Sequence, residues 1–246
     1  NTITTLAEVS TFGFDFSNIK VEVIRYPSKD GTMIPALLYT PKNVKKDGNN
    51  PALVDYHGGP PQQWRPFFQR NLAFALSKGL IVLRPNVRGS EGYGPAWEKA
   101  DNLDKRYDAL ADAEMAIDYL INEGYSKPQK IGIWGGSYGG YTVNWLAVAA
   151  PDKFACAISQ VGVADHDLSP IFKAEKINKP MLLTSGFYDP RVFPGDPRRF
   201  AYLLNKLGKD VLYLENVESG HGATTKEQII TEYTRYYTFF LDNLMK

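Results

Sequence analysis

Cysteine is almost missing from this chain. Cys156 is the only one in 246 residues, which excludes an intrachain disulfide and a cysteine-rich metal site. A cytoplasmic setting fits this usage best, and a secreted or periplasmic one is compatible with it. An excess of either charge is missing too. Lys and Arg number 28 against 27 Asp and Glu, a net of +1, so electrostatics give no reason to expect nucleic acid or an anionic membrane as partner. A small neutral or mixed-charge substrate fits instead. No apolar run approaches the ~20 residues of a membrane-spanning helix, and Asn1 to Phe16 lacks the basic end and apolar stretch of an export signal. The expectation is a soluble chain. With Asn at position 1 it also reads as a processed form or as a domain cut from a longer protein.

What is present is ordinary globular composition, 43% hydrophobic and 22% charged, enough to bury one core and to read as a single domain over residues 1–246. Short β-branched runs predict strands at Val21–Tyr26, Ile34–Tyr39, Ala52–Tyr56, Leu80–Leu83, Lys130–Trp134, Ala155–Gln160, Met181–Thr184 and Val211–Leu214. The first two flank the turn Ser28-Lys29-Asp30-Gly31 and predict an antiparallel pair. From Ala52 onward strands alternate with helical stretches at Pro66–Ser77, Asp104–Asn122, Tyr138–Ala149, Pro197–Leu207 and Thr225–Met245. That alternation predicts an α/β fold, a mostly parallel central sheet with helices on both faces. In Asp104–Asn122 the apolar face is Leu110, Ala113, Ile117 and Leu120, which puts Asp108 and Asp112 on the far side and Glu114 at the margin, as solvated carboxylates.

In such sheets chemistry gathers beyond the carboxyl ends of the strands. The strand Lys130–Trp134 runs into Gly135-Gly136-Ser137-Tyr138-Gly139-Gly140 and then into a helix, the setting of a G-x-S-x-G nucleophile elbow. Small flanking residues let so sharp a turn pack while the serine stands exposed. An ordinary strand-to-helix turn is the alternative. A phosphate loop is disfavoured, because no Lys-Ser or Lys-Thr pair follows Gly140.

A serine hydroxyl needs a base to take its proton. Of three histidines, His221 sits in Glu218-Ser219-Gly220-His221-Gly222, past the last strand and before the terminal helix. His57 follows an earlier strand, and His166 lies between Asp165 and Asp167; neither is assigned as base. The carboxylate that orients the imidazole is expected after the penultimate strand, where Asp189 follows Ser185-Gly186-Phe187-Tyr188. Asp189 could instead form a turn before Pro190. Asp196, ahead of Pro197, reads as a helix N-cap. Ser137, Asp189 and His221 keep the chain order Ser, Asp, His of the α/β-hydrolase fold. The developing oxyanion also needs donors: the Tyr138 N–H is one, and the loop His57-Gly58-Gly59-Pro60 offers the second. That loop could also be a simple Gly-Pro turn.

These residues resemble the catalytic domain of the prolyl oligopeptidase family of serine peptidases. The likeness rests on His57-Gly58-Gly59-Pro60, Pro85-Asn86-Val87-Arg88-Gly89-Ser90 with Gly92-Tyr93-Gly94, Gly135 to Gly140, Gly186-Phe187-Tyr188-Asp189-Pro190-Arg191-Val192, and Gly220-His221-Gly222. It implies triad roles for Ser137, Asp189 and His221, and an oxyanion hole from Tyr138, Gly58 and Gly59. His57 stands where some members carry a tyrosine. The sequence looks more like the acylaminoacyl-peptidase branch, which uses main-chain donors there, with Tyr56 a lesser alternative. The resemblance also places Tyr138, Val161, Val163 and Val192 at the pocket for the residue before the scissile bond, favouring an apolar or small group. Arg88 and Arg191 become supports.

Two departures accompany the likeness. The family's upstream β-propeller is implied as a further domain, with Asn1–Phe16 resembling the linker that follows it. Val163 to Pro180 is shorter than the family's usual helical excursion. The expected function is hydrolysis of peptide or acyl-peptide bonds in short substrates through an acyl-enzyme, with no metal or organic cofactor required. A carboxylesterase using the same triad and a non-catalytic binding module of the same fold are the alternatives. Oligomeric state is left open.

Overall fold

The computed structural model describes residues 4, 10, 13–164 and 170–246. Most of the expected linker Asn1–Phe16, and all of Asp165, His166 and Asp167, lie outside the described residues. The strands are β1 (Ile19–Pro27), β2 (Met33–Pro41), β3 (Ala52–Tyr56), β4 (Ile81–Pro85), β5 (Ile131–Gly136), β6 (Cys156–Gln160), β7 (Met181–Gly186) and β8 (Val211–Asn216). They form one sheet in the order β1-β2-β4-β3-β5-β6-β7-β8. The β1–β2 hairpin is antiparallel, Ile19 opposite Pro41 and Pro27 opposite Met33, and β2 is antiparallel to β4. Every later pairing is parallel.

The order contains a reversal that locates the site. From β3 the chain steps to β4 on one side, then returns to lay β5 on the other. The connections after β3 and β5 therefore diverge to opposite sides, leaving a crevice at the carboxyl ends of these two strands. His57-Gly58 follows β3 there, and Ser137 follows β5.

The helices are α1 (Arg70–Ser77), α2 (Pro95–Glu98), α3 (Arg106–Asn122), α4 (Tyr138–Ala149), α5 (Gly195–Lys206) and α6 (Lys226–Leu244). Alternation along the strands divides the core. Ala52 and Val54, Ile81 and Leu83, Ile131 and Ile133, and Met181 and Leu183 face α3, α4 and α5. Leu53, Val82, Trp134, Ile158 and Leu182 face α1 and α6. The period of two thus gives two buried faces, as a sheet covered on both sides requires. A capping box opens α6: Thr225 Oγ1 accepts from Gln228 N at 3.2 Å, and Gln228 Oε1 accepts from Thr225 N at 3.3 Å.

Three local expectations are corrected. The helix expected from Pro66 begins only at Arg70, because Trp64 N donates to Asn86 Oδ1 (2.7 Å) and Asn86 Nδ2 donates back to Trp64 O, pinning the approach as a loop. Asp196 is not an N-cap. The helix α5 starts earlier, at Gly195, so Asp196 sits inside the first turn and accepts from Arg199 at 3.0 Å. Asp112 is not solvated. It is fully buried, accepting from the Arg88 N–H (3.0 Å), Arg88 Nε (2.9 Å), Arg88 Nη2 (2.6 Å) and Ser28 Oγ.

Candidate active site

Ser137 caps α4 with φ 57° and ψ −117°, a left-handed conformation that costs a non-glycine residue about 1–3 kcal/mol. The surroundings enforce it. Ser137 N donates to Gln160 O at the end of β6 (2.9 Å), and Ser137 O accepts from Tyr141 N in the first turn of α4 (3.0 Å). Gly139 lies so close to the end of β3 that a Cβ there would collide with the carbonyl oxygens of Tyr56 and His57. The elbow and the oxyanion loop are thereby pressed together: a Cβ on Gly58 would lie 3.3 Å from Ser137 Cβ and 3.0 Å from Gly136 O. Tyr138 is the first residue of α4, so its N–H has no intrahelical acceptor and points out of the helix N-terminus, beside the serine.

Asp189 lies on the turn after β7. Its Oδ1 accepts from Arg191 N (2.8 Å) and Val192 N (3.0 Å), which fixes the carboxyl plane. Its Oδ2 accepts from His221 Nδ1–H at 2.8 Å. A carboxylate cannot donate, so the imidazole proton lies on Nδ1 and the Nε2 lone pair is free to receive one. Asp189 is buried and His221 half-buried. The two loops are sewn together by Tyr188 N donating to Ser219 O (3.0 Å), and a Cβ on Gly186 would collide with Gly220 O. Ser137 Oγ itself makes no hydrogen bond among the described residues.

The remaining expected residues fall out as follows. His57 is buried, and burial pushes its imidazole below the usual value, which keeps it neutral. Its Nε2 is hydrogen-bonded with Ser90 Oγ (2.9 Å), its Nδ1 lies 3.1 Å from Gly58 O, and Ser90 Oγ also lies 2.6 Å from Val87 O. The Tyr56 hydroxyl donates to Ala113 O (2.8 Å) in the core, away from the elbow. Val161 is buried with φ 43°, Val192 is buried, and Val163 O accepts from Asn144 Nδ2 at 3.0 Å. A cavity of about 10 Å³, room for about one water, lies among His57, Pro60, Val87, Arg88, Tyr138 and Thr142. A larger space of about 320 Å³ lies between the ends of β7 and β8 and the start of α6. Of the four expected pocket residues only Tyr138 borders either cavity.

Arg88 is a support, held by Asp112 and by Asp30 of the β1–β2 turn, while Arg191 reaches Asp189 through its backbone N–H. Contacts that sequence reasoning missed are Ser90 on His57 and Asp101 on Tyr138, where the phenol donates to Asp101 Oδ2 at 3.3 Å. Ser90 was visible within the Arg88-Gly89-Ser90 motif but carried no assigned role, and Asp101 stood in no motif.

The sheet order, the elbow after β5 and the paired loops after β7 and β8 define a domain of the α/β-hydrolase type. The profile of the prolyl oligopeptidase family matches residues 66–169 and 166–246, and the chain belongs to that family of serine peptidases. Prolyl oligopeptidase A of Galerina marginata is 29% identical over an alignment 253 positions long, which covers 88% of this chain and 34% of that protein. A solved prolyl endopeptidase superposes with a TM-score of 0.87 at 26% identity, covering 94% of this chain and 39% of its own. An acylaminoacyl peptidase bound to a chloromethyl ketone superposes with a TM-score of 0.84 at 25% identity, covering 94% of this chain and 42% of its own. The chain spans about a third of the length of the curated relatives it matches.

Proposed function

We propose that this chain hydrolyses peptide or acyl-peptide bonds of short substrates through an acyl-enzyme on Ser137. The observation that carries the reading is the 2.8 Å contact between His221 Nδ1 and Asp189 Oδ2, on two loops sewn to each other at the same end of the sheet as the strained Ser137. In this reading His221 Nε2 takes the Ser137 hydroxyl proton as Oγ attacks the carbonyl carbon. The serine–histidine contact closes when substrate fills the site. Tyr138 N–H and the main chain at Gly58 and Gly59 receive the oxyanion. The C–N bond then breaks, His221 passes its proton to the leaving amine, and a water deprotonated by His221 cleaves the acyl ester and restores Ser137. Asp189 keeps the imidazole in the Nδ1–H tautomer throughout. The β-propeller implied by the resemblance would lie upstream and restrict access to small substrates.

A carboxylesterase is the second reading, favoured by one observation. Between β6 and β7 the regular structure among the described residues is a pair of short 3-10 turns within Pro170–Lys176, kinked at Lys173, with Phe172 exposed. A wall this short confines a peptide poorly and excludes less water. Ser137→Ala is expected to lower turnover by about 10⁴ or more on whichever substrate is cleaved. Matched peptide-amide and ester substrates then separate the readings, since a peptidase cleaves both and an esterase only the ester. Hydrolysis surviving in Ser137→Ala would remove the assignment.

A further inference from the structure

We infer that the strap between β4 and α3, residues 86–101, is the positioning element of the oxyanion hole, with Ser90 and Asp101 as its two points of contact. The inference rests on the reading of the site given above. The donors proposed for the oxyanion come from separate elements: the loop after β3 and the first turn of α4. Beside each donor stands a side chain gripped by the strap. Ser90 Oγ and His57 Nε2 are hydrogen-bonded at 2.9 Å, next to Gly58. Asp101 Oδ2 accepts from the Tyr138 hydroxyl at 3.3 Å, on the residue that supplies the other N–H.

Hydrogen bonds cross-link the strap between these contacts. Gly89 N donates to Trp97 O (3.0 Å), and Trp97 Nε1 donates to Val87 O (3.1 Å). Gly89 has φ 97°, and the Asp101 carboxyl occupies the place its Cβ would take, with Cγ 2.5 Å from that position. The Ser90 end and the Asp101 end are therefore packed directly against each other. The strap is anchored away from the site, by Arg88 on the buried Asp112 and by Asn86 on the main chain of Trp64.

Asp101 is the informative member. It is 3% exposed, the phenol of Tyr138 is its side-chain hydrogen-bond partner, and the guanidinium of Arg106, 6.0 Å from the Tyr138 ring, lies near enough for its charge to favour the carboxylate. Burial nonetheless outweighs both and raises its pKa above the usual carboxylate value, so the hydrogen bond from Tyr138 compensates part of a desolvation cost. Its contact sets the Tyr138 ring, and through the ring the pitch of the residue whose N–H faces the reacting carbonyl. Asp101 is thus a positioning residue acting through Tyr138, and Ser90 one acting through His57. A displacement of the order of 1 Å at such donors costs up to about a hundredfold in rate.

The test is steady-state hydrolysis of a p-nitrophenyl ester by the full chain, with thermal melts alongside. Asp101→Ala and Tyr138→Phe are each expected to lower kcat about tenfold or more while KM changes less than about threefold, because the oxyanion forms only in the transition state. The double variant should be no slower than the slower single one, since both remove the same hydrogen bond. Asp101→Asn retains an acceptor and should recover most of the rate. Tyr138→Phe, a minimal change, keeps the test open if Asp101→Ala folds poorly. A wild-type kcat in Asp101→Ala and Tyr138→Phe, with Ser137→Ala inactive in the same assay, would overturn this inference alone. Activity persisting in Ser137→Ala would instead overturn the reading on which it rests.

Discussion

Asp189 accepts three hydrogen bonds, two from main-chain N–H groups and one from His221, and in the proposed triad the last of these orients the imidazole. Asparagine is nearly the same shape but can donate from its amide, which lets the imidazole sit with its proton on Nε2 and blocks it as a base. Asp189→Asn is therefore expected to lower kcat by about 10⁴ with the melting temperature little changed, as measured by ester turnover and a thermal melt. The places of the three proposed triad residues were legible in the sequence because each follows a strand whose apolar run is plain: Ser137 after β5, Asp189 after β7, His221 after β8. The partners of Tyr138 and His57 were not. Asp101 is 37 positions from Tyr138, and Ser90 is 33 from His57, so both contacts exist only once the strap has folded.

At the scale of elements, the helix α3 is where periodicity misled. Its apolar face is buried as expected, with Ala113, Ile117 and Leu120 in the core. Asp112 was assigned to water because it lies off that face, but Arg88 rises from the end of β4 and the β1–β2 turn closes over the pair through Ser28 and Asp30. A helical wheel sees only the helix, whereas the burial of Asp112 is decided by two neighbours distant in sequence. Asp112→Ala would leave Arg88 without its principal partner in a site only 10% exposed. Loss of about 3–5 kcal/mol is expected, measured as the shift in urea midpoint. Strand positions were legible for the opposite reason. Alternation of residues is a local property, and all eight predicted strands are found, with ends moved by a few residues.

For the whole molecule, the reversal of strand order beside β3 gathers the oxyanion loop and the nucleophile at one crevice, and packing presses them together. Stability and site are coupled there through His57. Burial lowers its pKa below the ordinary 6.5, so the folded chain keeps a neutral imidazole where the unfolded chain takes up a proton. Below pH 6.5 the unfolded state therefore binds more protons, and stability falls with pH until the folded imidazole titrates as well. Above 6.5 this contribution is constant. The urea midpoint should decline below that pH, and His57→Gln should flatten the decline. An equal slope in the variant would assign it to other groups.

The claim at the centre of this account is that Ser137 is an activated nucleophile, and labelling with a fluorophosphonate probe tests it directly. Wild-type protein and Ser137→Ala are treated alike, digested, and the adduct mapped by mass spectrometry. The account predicts one adduct, on Ser137, absent from the variant. An adduct elsewhere, or none on folded wild-type protein, would contradict it.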